Sequence, residues 1–183
     1  MKRRLILVLF LAACAAQWIA ASWKIVEREL TLRRGDVYRF KTAPVDPVDA
    51  FRGRYVAVRV EENTVPFEGP WERKHDRWLF AELGVGEDGF ARFVKLHDQL
   101  PLDTPGIRTR ITSFNDQEKK VWLKLPLDRF YLSERIAPEA ERAYREHSRQ
   151  EAQDAWLAVR VWRGRAAIEG LYIGDRPILD VLK

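Results

Sequence analysis

The chain is poor in the residues that most reactive centres require. It has one cysteine, and only three histidines, at positions 75, 97 and 147. A single cysteine excludes an internal disulfide framework, a Cys-x-x-Cys redox pair and a cysteine-based zinc site. Scattered histidines do not make a His-rich metal centre. The serines Ser22, Ser113, Ser133 and Ser148 lie in neither a Gly-x-Ser-x-Gly elbow nor a Ser-x-x-Lys pair. Gly84-Val85-Gly86 is not followed by the Gly-Lys-Ser/Thr of a phosphate loop. No catalytic constellation and no cofactor site is therefore expected. A large excess of positive charge is missing too. Residues 1–23 hold Lys2, Arg3 and Arg4 with no acid, and the other 160 residues carry 29 basic against 27 acidic side chains. Nucleic-acid binding needs clustered base to release counterions from phosphates, and a surface so balanced excludes it as a partner.

Charge is also absent from one long run. Leu5 to Trp23 is 19 residues without a charged side chain. As a helix this run rises roughly 28 Å, close to the hydrocarbon core of a bilayer. Trp18 and Trp23 lie near one end, where indole rings favour the interface, and Lys24 closes the segment. Residues 1–23 thus read as an N-terminal signal anchor, or transmembrane helix, contacting the membrane through residues 5–23. Two alternatives use the same residues. Leu11-Ala12-Ala13-Cys14 has lipobox spacing, which would make Cys14 the acylated first residue of a lipoprotein. Cleavage after small residues, as at 13–15 or 20–22, would release the rest. The mostly apolar stretch 15–21 favours the anchor over a polar lipoprotein tether. In every case the basic tip stays in the cytoplasm and residues 24–183 are exported. The expected location is a bacterial inner membrane, crossed once, with the C-terminal part periplasmic or otherwise extracytoplasmic.

Residues 24–183 read as a single exported β-rich domain. Short alternating segments predict strands at 29–32, 37–42, 55–61, 77–82, 91–97, 107–114, 120–125, 156–162, 165–173 and 177–181. Turn signals separate them: Arg34-Gly35-Asp36, Glu87-Asp88-Gly89, and Arg163-Gly164 as a tight hairpin. One helix is predicted over 136–154. Pro138 suits its first turn, and Ala140, Ala143, Tyr144 and His147 share one face. The opposite face is Glu and Arg, so the helix should be peripheral, with His147 a packed or surface residue and not a ligand. The expected fold is mainly β (α+β), an antiparallel sheet or partly closed β-barrel with one peripheral helix, preceded by the transmembrane helix.

The most informative segment is Asp46-Pro47-Val48-Asp49-Ala50-Phe51-Arg52-Gly53-Arg54-Tyr55. Asp46 is a good N-cap and Pro47 a good first helical residue. Asp49 would favour the exposed N–H groups of that turn, and Arg52 lies three residues beyond it. Gly53 can then release the chain into a strand at Tyr55. A capped turn that launches a strand explains Asp46 and Asp49 better than an acid–base pair does. The same groups could also form a surface signature for a partner. Asp46, Pro47, Asp49, Arg52, Gly53 and Tyr55 are the candidate motif and interaction residues.

In these residues the chain resembles the GDYXXLXY family of membrane-anchored bacterial proteins. Arg54 stands where the motif has Asp, Val58 replaces Leu and Val60 replaces the last Tyr. The resemblance extends to Gly89-Phe90, to Asp128-Arg129-Phe130-Tyr131 and to Gly170-Leu171-Tyr172-Ile173. It implies no activity. It does imply a multi-span membrane protein as partner.

The function expected is that of a membrane-anchored envelope protein acting as an interaction or assembly module. A ligand-binding domain for an anionic glycan or lipid headgroup is the alternative, with a hydrolase behind it. Aromatic and basic residues interleave at Trp71, Arg73, Lys74, His75, Arg77 and Trp78. Such a stretch could bind an anionic group, but the stronger expectation is that its Trp residues plug the core.

Overall fold

A computed structural model describes residues 2–44, 55–67, 77–149 and 153–182. The chain opens with one long helix, α1, Lys2–Arg34. It is long and apolar enough to cross a membrane, with a mean hydropathy of 2.2 in its most apolar stretch. Its apolar side chains, such as Leu7, Phe10, Trp18 and Trp23, are exposed to the surroundings. The expected strand at 29–32 is instead the last part of α1. Once a helix is nucleated, each further residue adds a hydrogen bond at little cost, so a four-residue alternation is overridden. Arg33 and Arg34 occupy the last turn, where cations complement the exposed carbonyls.

Gly35 ends the helix and seats it. Its N–H donates to the Thr31 carbonyl at 2.9 Å. A Cβ here would lie 2.6 Å from that carbonyl oxygen and 3.0 Å from backbone atoms of Val161. The glycine thus allows a close approach of backbones that any side chain would prevent. Strand β1, Asp36–Ala43, follows directly.

The next segment alternates without interruption: Val56, Val58 and Val60 are buried, while Tyr55, Ala57 and Arg59 are not. The expected strand 55–61 is nevertheless two strands, β2 (Tyr55–Ala57) and β3 (Arg59–Val60). They are then followed by β4 (Thr64–Pro66), β5 (Leu79–Val85), β6 (Ala91–His97), β7 (Gly106–Asn115), β8 (Lys120–Lys124) and β9 (Arg129–Tyr131). At Val58 the chain changes partner, since β2 pairs with β9 and β3 pairs with β1. The helix α2 is Ala137–His147, and β10 (Ala155–Trp162), β11 (Arg165–Ile173), β12 (Arg176–Pro177) and α3 (Ile178–Val181) complete the order. Of the expected strand 177–181 only Pro177 is a strand residue, the last of β12 and without an N–H to carry the ladder on, and 178–181 is helical. Ile178, in the short helix that follows, is buried.

Two five-stranded sheets result, ordered β12-β11-β10-β1-β3 and β4-β8-β7-β5-β6, with β2–β9 as a separate pair. Among the described residues every strand ladder is antiparallel, with one isolated parallel bridge between Ile107 and Gly164. The sheets stay open, so the antiparallel-sheet expectation holds and the barrel alternative does not. One apolar cluster draws on both sheets, including Phe40, Leu157 and Leu171 from the first and Leu79, Ile107 and Val121 from the second. Phe40 and Phe93 meet across it with ring centroids 5.8 Å apart.

Polar contacts close the edges of this core. The β5–β6 turn carries Asp88, whose carboxylate takes Lys41 of β1 at 2.9 Å. The hydrogen bond from Lys41, helped by the Phe90 N–H and by Arg92, holds the Asp88 carboxyl below the usual aspartate range. Helix α2 is pinned by Tyr144, whose hydroxyl donates to the Ala43 carbonyl at 2.9 Å. Burial raises its pKa. The helix stops at His147, short of the expected 154. There Ser148 N–H donates to Tyr144 at 2.8 Å, and His147 Nδ1 lies 2.8 Å from Asp154, a contact that accompanies the return of the chain towards β10. As expected, His147 is a half-buried surface residue with a carboxylate partner.

Candidate functional site

The docked end of α1 makes one wall of an open groove of about 800 Å³, within the size range of small-molecule sites. Lys24, Glu27, Arg28 and Thr31 face it. Their spacing of three, four and seven residues puts them on one side of the helix. Thr31 is buried and its hydroxyl donates to the Glu27 carbonyl at 2.9 Å. The Glu27 carboxylate is engaged by Arg165 at 2.5 Å and Lys24 at 3.2 Å.

The second wall is the β10–β11 hairpin. Arg163 and Gly164 both have positive φ, 47° and 79°, the backbone of the tight hairpin turn the Arg-Gly pair predicts. Only glycine fits at 164, because a Cβ would sit 2.7 Å from the Phe80 ring. The close approach joins the two sheets: the Arg108 N–H donates to the Gly164 carbonyl at 2.7 Å.

The floor comes from β5 and β7. Trp78 is about half exposed, so it does not plug the core as expected. Instead the guanidinium groups of Arg108 and Arg110 lie 4.3 and 4.0 Å from its ring centroid. Such stacking suits arginine, which is more weakly hydrated than an ammonium. Trp78 follows a stretch, 68–76, that lies outside the described residues, and with it Trp71, Arg73, Lys74 and His75.

The remaining wall is β9 and the residues before it, Pro126, Asp128, Arg129 and Tyr131. A hydrogen bond with Tyr131, then the charge of Asp128, favours the protonated form of Arg129. Tyr55 backs this wall. It pairs with Tyr131 across the β2–β9 ladder, with ring centroids 5.8 Å apart, and the Arg129 guanidinium lies 5.1 Å from its ring. Of the candidate motif residues, Tyr55 thus lies behind the groove wall, in contact with two residues that line it. Asp46, Pro47, Asp49, Arg52 and Gly53 lie outside the described residues. The valines at 58 and 60 are core residues, as the apolar replacements of the motif imply.

Sequence reasoning missed Arg28, Arg108 and Arg163 as members of a site. Arg28 lies between two glutamates and Arg108 and Arg163 lie in or beside strand sequences that carry other arginines, and only the fold brings the three together. His97 meets Glu82 across the β5–β6 ladder at 2.6 Å. Among the described residues, no group of three or more His, Cys, Asp or Glu could hold a metal ion.

No curated protein and no solved structure matches this chain. A family model does: the GDYXXLXY protein model matches residues 17–171. The match runs from within the apolar helix to β11, and takes in the segment around Tyr55 and the groove wall at 128–131. The chain therefore belongs to the GDYXXLXY protein family.

Proposed function

We propose that this protein crosses the inner membrane of a bacterium once and presents its β-rich part on the periplasmic side, as an interaction or assembly module for another protein of that membrane. The joint between anchor and sheet carries the reading. Helix α1 passes without a break from the uncharged segment into residues that pack on β10 and β11. A flexible tether would let the folded part search the surroundings. A docked helix holds it at one height and angle, which suits a partner fixed in the same bilayer. Lys2, Arg3 and Arg4 favour a cytoplasmic N-terminus. The unbroken helix also supports an uncleaved anchor over acylation at Cys14. A multi-span membrane protein is the partner that the family resemblance implies. A second reading, a ligand-binding domain for an anionic glycan or lipid headgroup, is favoured by the groove.

Alkaline phosphatase fused after Lys183 should be active in a bacterial host. Affinity purification of the full chain in gentle detergent should recover a membrane protein, and mass spectrometry should find the N-terminus intact. An inactive fusion at full expression would overturn the orientation, and an acylated Cys14 the anchor. Recovery of no partner would overturn the module.

A further inference from the structure

We propose that the groove beside α1 holds the phosphate headgroup of an anionic lipid from the chain's own bilayer. The first argument is a local imbalance of charge. Beyond residue 23 the chain is nearly neutral, with 29 basic and 27 acidic side chains. The groove concentrates six cations, Lys24, Arg28, Arg108, Arg129, Arg163 and Arg165, against the two carboxylates of Glu27 and Asp128. Glu27 is already engaged by two of the cations. Among the described residues Arg28, Arg108 and Arg163 are in no ion pair. Arg108 and Arg163 are held against indole rings, Trp78 at 4.3 Å and Trp162 at 4.9 Å. Aromatic contact positions a guanidinium without neutralising it. Its fork of N–H donors then matches phosphate oxygens.

The second argument is height, and it rests on the anchored reading above. Lys24 directly follows Trp23, the last residue of the uncharged run. From Lys24 to Thr31 the helix rises about 10 Å. The headgroup layer is about 5–8 Å thick on each side of the hydrocarbon core. With residues 5–23 filling that core, the near end of the groove opens at headgroup level. At that level the phosphate of an anionic lipid comes within reach of the guanidinium groups. A soluble phosphate compound shares the recognition chemistry but gains nothing from this placement.

The test uses the full chain in nanodiscs of phosphatidylcholine and phosphatidylglycerol in equal amounts. The lipids still bound after gentle detergent extraction are identified by native mass spectrometry. Phosphatidylglycerol should be retained over phosphatidylcholine by roughly tenfold. The double variant Arg28→Glu/Arg108→Glu should lose that preference, and Arg28→Lys/Arg108→Lys should keep part of it. Both positions are exposed. If the reversal lowers the melting temperature, Arg28→Gln/Arg108→Gln replaces it. Lys95→Glu/Lys120→Glu makes the same change of net charge outside the groove and should retain phosphatidylglycerol normally. Equal retention of the two lipids by the unaltered chain would overturn the proposal, as would an unchanged preference in the Arg28/Arg108 variants. Displacement of phosphatidylglycerol by an equal concentration of inorganic phosphate would overturn the lipid as occupant and favour a soluble phosphate compound. A chain that fails to enter nanodiscs would instead overturn the anchored reading.

Discussion

The two parts of α1 obey opposite rules within one helix. From Leu5 to Trp23 the side chains are uncharged, mostly apolar and, Cys14 apart, exposed. From Lys24 to Arg34 they are largely charged, yet this part is seated on a sheet through Thr31. In water, a continuous apolar surface of the first kind would be a liability. In a bilayer it is what the solvent requires, since the helix satisfies its own backbone groups and presents hydrocarbon to hydrocarbon. The second part has no apolar stripe to bury, so close backbone contact and ion pairs hold it. The same secondary structure is thus specified twice, once by its solvent and once by its neighbours.

That contrast can be broken at either end. The largest effect is expected for Leu11→Arg, which puts a charge within the lipid-facing part. Insertion should become less favourable by about 2.5–3.5 kcal/mol. The chain should then leave the carbonate-resistant membrane fraction, while the melting of the β-rich part stays unchanged. Gly35→Ala tests the seated end. Its Cβ would push against backbone of both Thr31 and Val161, and relief of that overlap should cost about 1–3 kcal/mol. The melting temperature should fall by about 2–12 °C, with membrane retention untouched. If either substitution moved the other's measurement, the two parts would not be independent.

The smallest effect sharpens the comparison. Glu27→Gln removes the partner of Arg165 and Lys24. A partly exposed pair contributes about 0–1 kcal/mol, so thermal stability should drop slightly, and less so in high salt. Yet lipid retention should rise, because one of two carboxylates in the groove is gone. A loss of stability and of lipid together would mean that the groove depends on the joint more than on its charge.

How much of this was legible in the sequence depended on length and distance. Alternation located β6, β10 and β11 closely, because each has seven to nine residues, long enough for the pattern to show despite a bulge in the β5–β6 and β10–β11 ladders. It also marked 55–61 as one strand, but could not show that the chain changes partners at Val58. The three-residue strands β4 and β9 escaped because so few residues establish no period. Of the groove, Trp78 stood out in a stretch able to bind an anionic group but was expected in the core, 128–131 stood out only through the family resemblance, and Arg163-Gly164 only as a turn. The members lie between residues 24 and 168, and a strand arginine in sequence reads as a solvated charge. What assembles them is the approach of Gly164 to Phe80 and Arg108. The pair Arg163-Gly164 signals a turn, but not what the turn will touch.

An unbroken helix seated at one end also acts as a key. Each residue turns it by about 100° and lifts it by about 1.5 Å. The facing of the groove around the membrane normal is therefore set by the count of residues between the lipid-embedded side chains and Gly35. A neighbour that grips one stripe of α1 inside the bilayer would thereby choose which way the arginines look. One inserted residue near position 20 would leave hydrophobicity, anchoring and fold intact, and point the groove elsewhere.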